Sequence, residues 1–247
     1  MALREKAPAA QGGRAPHRHA TMPADLPYRI RRSDRARRVR VVVDPHSGVE
    51  VVLPRRSPAS AAPAAIAELR PWIEARLAAG QAVRDVVAAR GESVPYLGRD
   101  LALHPQAGRS RVHRVAGDAG GGGMLLVPDD PAAASAAVER WYRRTARAEI
   151  APRLERAVAA LGTSYTTLTI RNQRTRWGSC SSSGAMSFNW RLLLAPEPVL
   201  DYVIWHEACH LRVMDHSPRF WGLVERHCPD FQEHRRWLRA KGNTLVL

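Results

Sequence analysis

The order of patterns along the chain predicts an α+β fold, with a β-rich N-terminal portion and a helical C-terminal half. Three observations carry this expectation. Two β-branched runs, Arg38-Val39-Arg40-Val41-Val42-Val43 and Val49-Glu50-Val51-Val52-Leu53, flank the turn-forming stretch Asp44-Pro45-His46-Ser47-Gly48. A long helical pattern runs from Asp130 to about Leu161, and helical patterns dominate again from Pro198 to Leu238. At 247 residues and 45% hydrophobic content, the chain can bury one large core or two small ones.

In chain order, residues 1–27 are rich in Ala, Pro, Gly and Arg, have no hydrophobic period, and read as a disordered basic tail. The β-branched runs that follow form a hairpin. Ile66, Leu69, Ile73 and Leu77 place a helix between Ala62 and about Arg90, with Gly80 expected to interrupt it. Short strands are expected at 94–97, 101–104, 111–115 and 124–127, with Gly117–Gly123 as a flexible loop that matches no phosphate-binding fingerprint. Asp130 is a suitable N-cap and Pro131 a suitable first residue for the long helix, which Pro152 is expected to kink or divide. Strands at 166–171 and 186–190 precede the last helices. The expected organisation is a tail at 1–27, a β-rich region with a helix at 28–127, and a mixed, largely helical region at 128–247.

Composition excludes several classes. Three cysteines, Cys180, Cys209 and Cys228, are too few and odd in number for a secreted disulfide framework. No run reaches the roughly 18 apolar residues of a membrane span, and residues 1–27 lack the apolar core of a secretory signal. A soluble, cytoplasmic protein without a membrane partner is expected. The net charge is +15, and 13 basic against 5 acidic residues place +8 of it in the first 60. Seven arginines between Arg29 and Arg40 could contact nucleic acid. The competing reading is compositional: only Lys6 and Lys241 are lysines, while Arg, Ala, Pro and Gly are plentiful, as a GC-rich coding sequence would produce.

The sharpest chemical signal is His206-Glu207-Ala208-Cys209-His210, followed after five residues by His216. Four helical residues make slightly more than one turn, so His206 and His210 project from one face and can share one metal ion. Pro196 and Pro198 mark the start of this helix. Leu200, Ile204 and Leu211 give it apolar character on its other sides, as a buried helix needs. His216 precedes Ser217-Pro218, which reads as an N-cap and first-turn proline of the next helix. Three neutral imidazoles leave a fourth tetrahedral position open, as in catalytic zinc sites. Glu207, beside a ligand, is then the natural general base for a zinc-bound water. Glu225, Glu233, His227 and His234 are alternative third ligands, less favoured because His216 is nearer. Cys209 falls away from the histidine face. The histidine spacing equals that of metzincins, but Val213 replaces their glycine and no methionine follows Met214, so that assignment fails.

Upstream lies Arg171-Asn172-Gln173-Arg174-Thr175-Arg176-Trp177-Gly178-Ser179-Cys180, then Phe188-Asn189-Trp190. On its own this is either a basic, aromatic nucleic-acid contact or a Trp-anchored hairpin beside the metal helix, and the second reading is preferred. Arg176-Trp177-Gly178-Ser179-Cys180, Asn189-Trp190, Tyr202, the HExxH motif and His216-Ser217-x-x-Phe220-Trp221 together resemble the YgjP-type metallopeptidase domain, related to SprT-like zinc proteases. The resemblance extends loosely to the Arg-rich hairpin, Tyr96-Leu97-Gly98 and Trp141-Tyr142. It implies a zincin-like fold, zinc on His206, His210 and His216, and Glu207 as base. Ala208 and Cys209 stand where that family commonly has Leu and Ala.

The expected activity is zinc-dependent hydrolysis of protein or peptide substrates. Arg176, Tyr202, Arg219 and His227 are candidates to assist the developing oxyanion. The alternative is a zinc-stabilised nucleic-acid-binding module, or a protease acting on DNA-associated proteins.

Overall fold

The computed structural model describes residues 26–44, 47–117, 123–173 and 175–247. The expected tail lies outside the described residues except for Leu26 and Pro27, as does most of the glycine loop. The architecture is α+β, and its contacts divide the chain into two compact units at Val86/Val87.

In the N-terminal unit, strands β2 (Arg40–Asp44) and β3 (Gly48–Pro54) form the expected antiparallel hairpin. A further strand, β1 (Tyr28–Ser33), pairs parallel with β3 and was not foreseen, since Tyr-Arg-Ile-Arg-Arg-Ser lacks a β-branched run. Helix α1 (Ala61–Ala89) runs through both Pro71 and Gly80. Glycine costs a helix only about 1 kcal/mol relative to alanine, so the expected interruption does not occur. Ile66 and Ile73 of α1 pack with Val41, Val49, Val51 and Leu53 of the sheet.

The C-terminal unit opens with a four-stranded sheet, β4 (Ser93–Tyr96), β5 (Arg99–Gln106), β6 (His113–Val115) and β7 (Met124–Pro128), in the order β4-β5-β7-β6. Leu97 and Gly98 both take positive φ, 51° and 82°, as a two-residue type I′ hairpin turn requires. The Leu97 N–H donates to the carbonyl of Leu193 at 2.8 Å, which ties this turn to the approach to the metal helix.

Helix α2 (Pro131–Leu161) begins as read: Asp130 accepts from the Ala133 N–H, and Pro131 follows. It continues through Pro152 without dividing. Its buried face, including Tyr142, Ile150 and Leu154, forms one core with Leu101, Leu125, Phe188, Leu200 and Phe220. Arg153 of α2 pairs with Glu149, Glu197 and Asp201, fixing the start of helix α3 (Glu197–Cys209) against α2.

A second small sheet has the order β8-β10-β9, with β8 at Thr167–Arg171, β9 at Gly178–Cys180 and β10 at Ala185–Asn189. β10 runs parallel to β8 and antiparallel to β9. After α3 come α4 (Pro218–His227) and α5 (Phe231–Lys241).

Candidate metal centre

Pro198 in the first turn and a nearly continuous apolar surface make α3 a buried helix, with Val199, Leu200, Val203 and Ile204 in the core. His206 sits in its last turn and His210 just past its end. The chain then reverses tightly. Arg212 donates to the carbonyls of Leu161 and Gly162, anchoring this reversal on the C-terminal end of α2, where a cation also complements the helix dipole.

The reversal brings His216 back to α3, and Nε2 of His216 lies 3.2 Å from Nε2 of His206. A donor nitrogen from each of His206, His210 and His216 falls within 4.8 Å of the others. Two nitrogens bound about 2.0–2.1 Å from one tetrahedral ion stand roughly 3.3–3.4 Å apart. The donor set therefore fits a metal ion such as zinc.

Tautomer and orientation also fit. Nδ1 of His210 is 3.1 Å from the Val213 carbonyl, which can only accept, so the proton resides on Nδ1 and Nε2 keeps its lone pair. Nδ1 of His206 is buried without a hydrogen-bond partner among the described residues, so packing rather than a polar contact orients this ring. Phe220 of α4 supplies that packing. It stacks on His210 at 4.4 Å and meets His206 and His216 edge-on at 5.0 and 4.9 Å. Burial, and then the neighbouring imidazoles, pulls His206 down to about 3, and burial also lowers His210. Both rings are held in the neutral form that ligation requires.

Glu207 is buried at 6% exposure. Burial pushes its carboxyl up to about 7, against the Cys180 backbone hydrogen bond and the charge of Arg176. Strand β9 crosses directly over it. A Cβ at Gly178 would lie 2.5 Å from Glu207 Cγ and 2.9 Å from Oε1, so only glycine leaves room for this carboxylate. Asn189 holds the approach to β9 in place: its Nδ2 donates to the carbonyls of Gln173 and Arg176, and its backbone N–H donates to the Trp177 carbonyl.

The family model for the YgjP-like metallopeptidase domain matches residues 37–241. The chain belongs to the YgjP-like metallopeptidase family. Among solved structures, the metallopeptidase zymogen of Pyrococcus abyssi abylysin is similar at 26% identity, over 37% of this chain and 93% of its own, with a TM-score of 0.34. No curated protein matches the sequence. Membership makes this an enzyme of the metallopeptidase class and implies a metal ion. Among the described residues, no helix is long and apolar enough to cross a membrane.

Beside the histidines, this YgjP-like chain has a cavity whose walls include Arg176, Trp177, Tyr202, His206, Glu207 and Arg239. Of the four residues proposed from sequence to assist catalysis, Arg176 and Tyr202 line it, whereas Arg219 and His227 do not. His227 instead stacks on Trp205 at 4.5 Å. Glu225, Glu233, His227 and His234 fall outside the histidine cluster. All three cysteines are free thiols, and Cys209 is fully buried, as its place off the histidine face implies. Sequence reasoning overlooked why Gly178 and Phe220 matter and passed over Arg235 and Arg239 altogether. Their spacing, one helical turn apart on α5, was the signal that could have drawn attention to them.

Proposed function

We propose that the chain is a zinc-dependent metallopeptidase in which His206, His210 and His216 hold the ion and Glu207 is the general base. The observation that carries this reading is the 3.2 Å approach of the His206 and His216 nitrogens, with the buried Glu207 carboxylate on the same helix. When bound, zinc acidifies a coordinated water toward neutrality and polarises the scissile carbonyl.

The protein's own groups supply the remaining steps. Oε1 or Oε2 of Glu207 takes a proton from the attacking water and passes it to the leaving amine. Burial raises this carboxyl above the usual carboxylate range, which makes it a better proton acceptor than a solvated carboxylate. Gly178 and the Cys180 backbone N–H keep that carboxylate in one place. The Tyr202 hydroxyl, pushed up to about 12 chiefly by burial, stays protonated and can donate to the oxygen that gains charge. Arg176, on the same cavity, adds positive charge there.

Replacing Glu207 with Gln tests the assignment. Zinc content should stay at one ion per chain while peptide turnover falls about 10²- to 10⁴-fold. Retained turnover in Glu207→Gln would remove Glu207 from the role of base.

The nucleic-acid reading of the Arg-rich hairpin is the weaker one. Arg31 pairs with Glu50, Arg32 donates to the carbonyls of Arg55 and Ser57, and Arg29 donates to that of Ser47. These guanidiniums are engaged in holding their own sheet.

A further inference from the structure

The cavity beside the histidines is lined by more basic than acidic side chains, and the hydrolytic step uses only Arg176 of them. Arg176 enters from the segment before β9, and Arg235 and Arg239 from successive turns of α5, while Trp177, Tyr202 and Leu238 provide apolar walls. Among the described residues that line it, Glu207 is the acidic one. A neighbouring hollow shares Arg235 and Arg239, adds Arg236, and has no acidic side chain among the described residues that line it. The Arg235 guanidinium lies 4.7 Å from the centre of the Trp221 ring, which fixes its position. The field of Arg235 and Arg239 falls on the cavity that Tyr202, His206 and Glu207 also line. Low-dielectric aromatic walls concentrate such a field.

We propose that this cavity binds a carboxylate of the peptide substrate, so that the enzyme selects acidic peptides and disfavours basic ones. Resting on the peptidase reading above, the inference specifies which peptides are chosen. Guanidinium groups match carboxylates through paired N–H donors, and a lysine or arginine side chain placed there would face like charge. Two sources present the same chemistry: an Asp or Glu side chain near the scissile bond, or a free C-terminus. The cavity opens on His206 and Glu207, the proposed hydrolytic groups, which favours a peptide over a nucleic-acid phosphate.

The test is a series of short peptides differing at one position, Asp, Gln or Lys, each with a free and an amidated C-terminus. The readouts are kcat/KM on the zinc-loaded full chain and Kd on its Glu207→Gln variant. The Asp peptide should exceed the Gln peptide about tenfold in both measures, with Lys poorest. An Asp preference that survives amidation assigns the side chain as the source; weaker binding of the amidated form, the same for all three central residues, assigns the C-terminus. Equal values across the series, or tighter binding of a single-stranded oligonucleotide that displaces the Asp peptide, would overturn the proposal.

In the Glu207→Gln background, adding Arg176→Glu and Arg239→Glu should invert the order to favour Lys, and an unchanged order counts against it. Arg176→Gln and Arg239→Gln singly, at solvent-exposed positions, should each reduce the preference should the double reversal fail to fold. Acidic peptides that bind selectively but are never cut would refute the peptidase reading while leaving the carboxylate site standing. Peptides cut without regard to charge would do the opposite.

Discussion

Glu207 is constrained from above as much as from its own helix, because Gly178 passes over its side chain with no space for a methyl group. In Gly178→Ala the added Cβ would press on Glu207 Cγ, Cδ and Oε1 at 2.5, 3.0 and 2.9 Å. The strand is held by Asn189 and by pairing with β10, so the carboxylate is the part that yields. We expect zinc stoichiometry and folding to be retained while kcat/KM drops about 10²-fold, the usual cost of misplacing a reacting group by an ångström. Steady-state kinetics alongside metal analysis would show it, and wild-type turnover would mean the contact is not restrictive. This also explains how much of the site could be read from sequence. The histidines and Glu207 are a local pattern on one helix and one turn, whereas the requirement for Gly178 arises from contact with a residue far along the chain. Spacing alone carries no trace of that contact. Tyr202 lies between these extremes, since its position one helical turn before His206 is visible but its burial is not.

Helix α4 acts on the site through one face. Phe220 is fully buried and touches all three imidazoles, so this helix is the clamp that sets ligand geometry where His206 lacks a polar partner. Phe220→Ala should destabilise the fold by about 3–5 kcal/mol, as large aromatic truncations do. Zinc affinity should fall about 10- to 100-fold, comparable to losing a supporting contact around a metal ligand. Chelator competition measures the affinity, and thermal unfolding of the zinc-free protein isolates the packing loss. Undiminished affinity would assign orientation of the rings elsewhere. Elements differed in how plainly they were written. α2 was legible because its cap, first-turn proline and period agree, and the β2–β3 hairpin because valines flank a turn. Strand β1 was not, since its arginines have little intrinsic preference for extended structure and it becomes a strand only through β3, whereas β9 with β10 forms the Trp-anchored hairpin that the sequence suggests. Neither Gly80 nor Pro152 divides its helix, because tertiary packing of long apolar faces outweighs a local cost at one residue.

At the scale of the whole chain, the core that supports the site extends from Val94 to Leu245 and is separate from the cluster formed by α1 and the first sheet. The boundary expected at 127/128 followed element order, where extended segments give way to helices. Strands β4 to β7 share one compact unit and one core with α2 and α3. That unit is tied at its ends: Arg90 donates to the carbonyls of Thr244 and Val246, at 2.8 and 2.5 Å, joining its first residues to its last. A chain segment with its own core and joined termini meets the ordinary requirements for autonomous folding. We therefore predict that residues 87–247 alone fold cooperatively and bind one zinc ion through the three histidines. Because the ion binds the folded form, free zinc at about 1,000 times its Kd should add about 4 kcal/mol of stability, which a chelator removes. Circular dichroism melts with and without zinc, together with metal stoichiometry of the fragment, decide the matter. An unfolded or zinc-free fragment would show that the N-terminal unit is needed to complete the metal-binding fold.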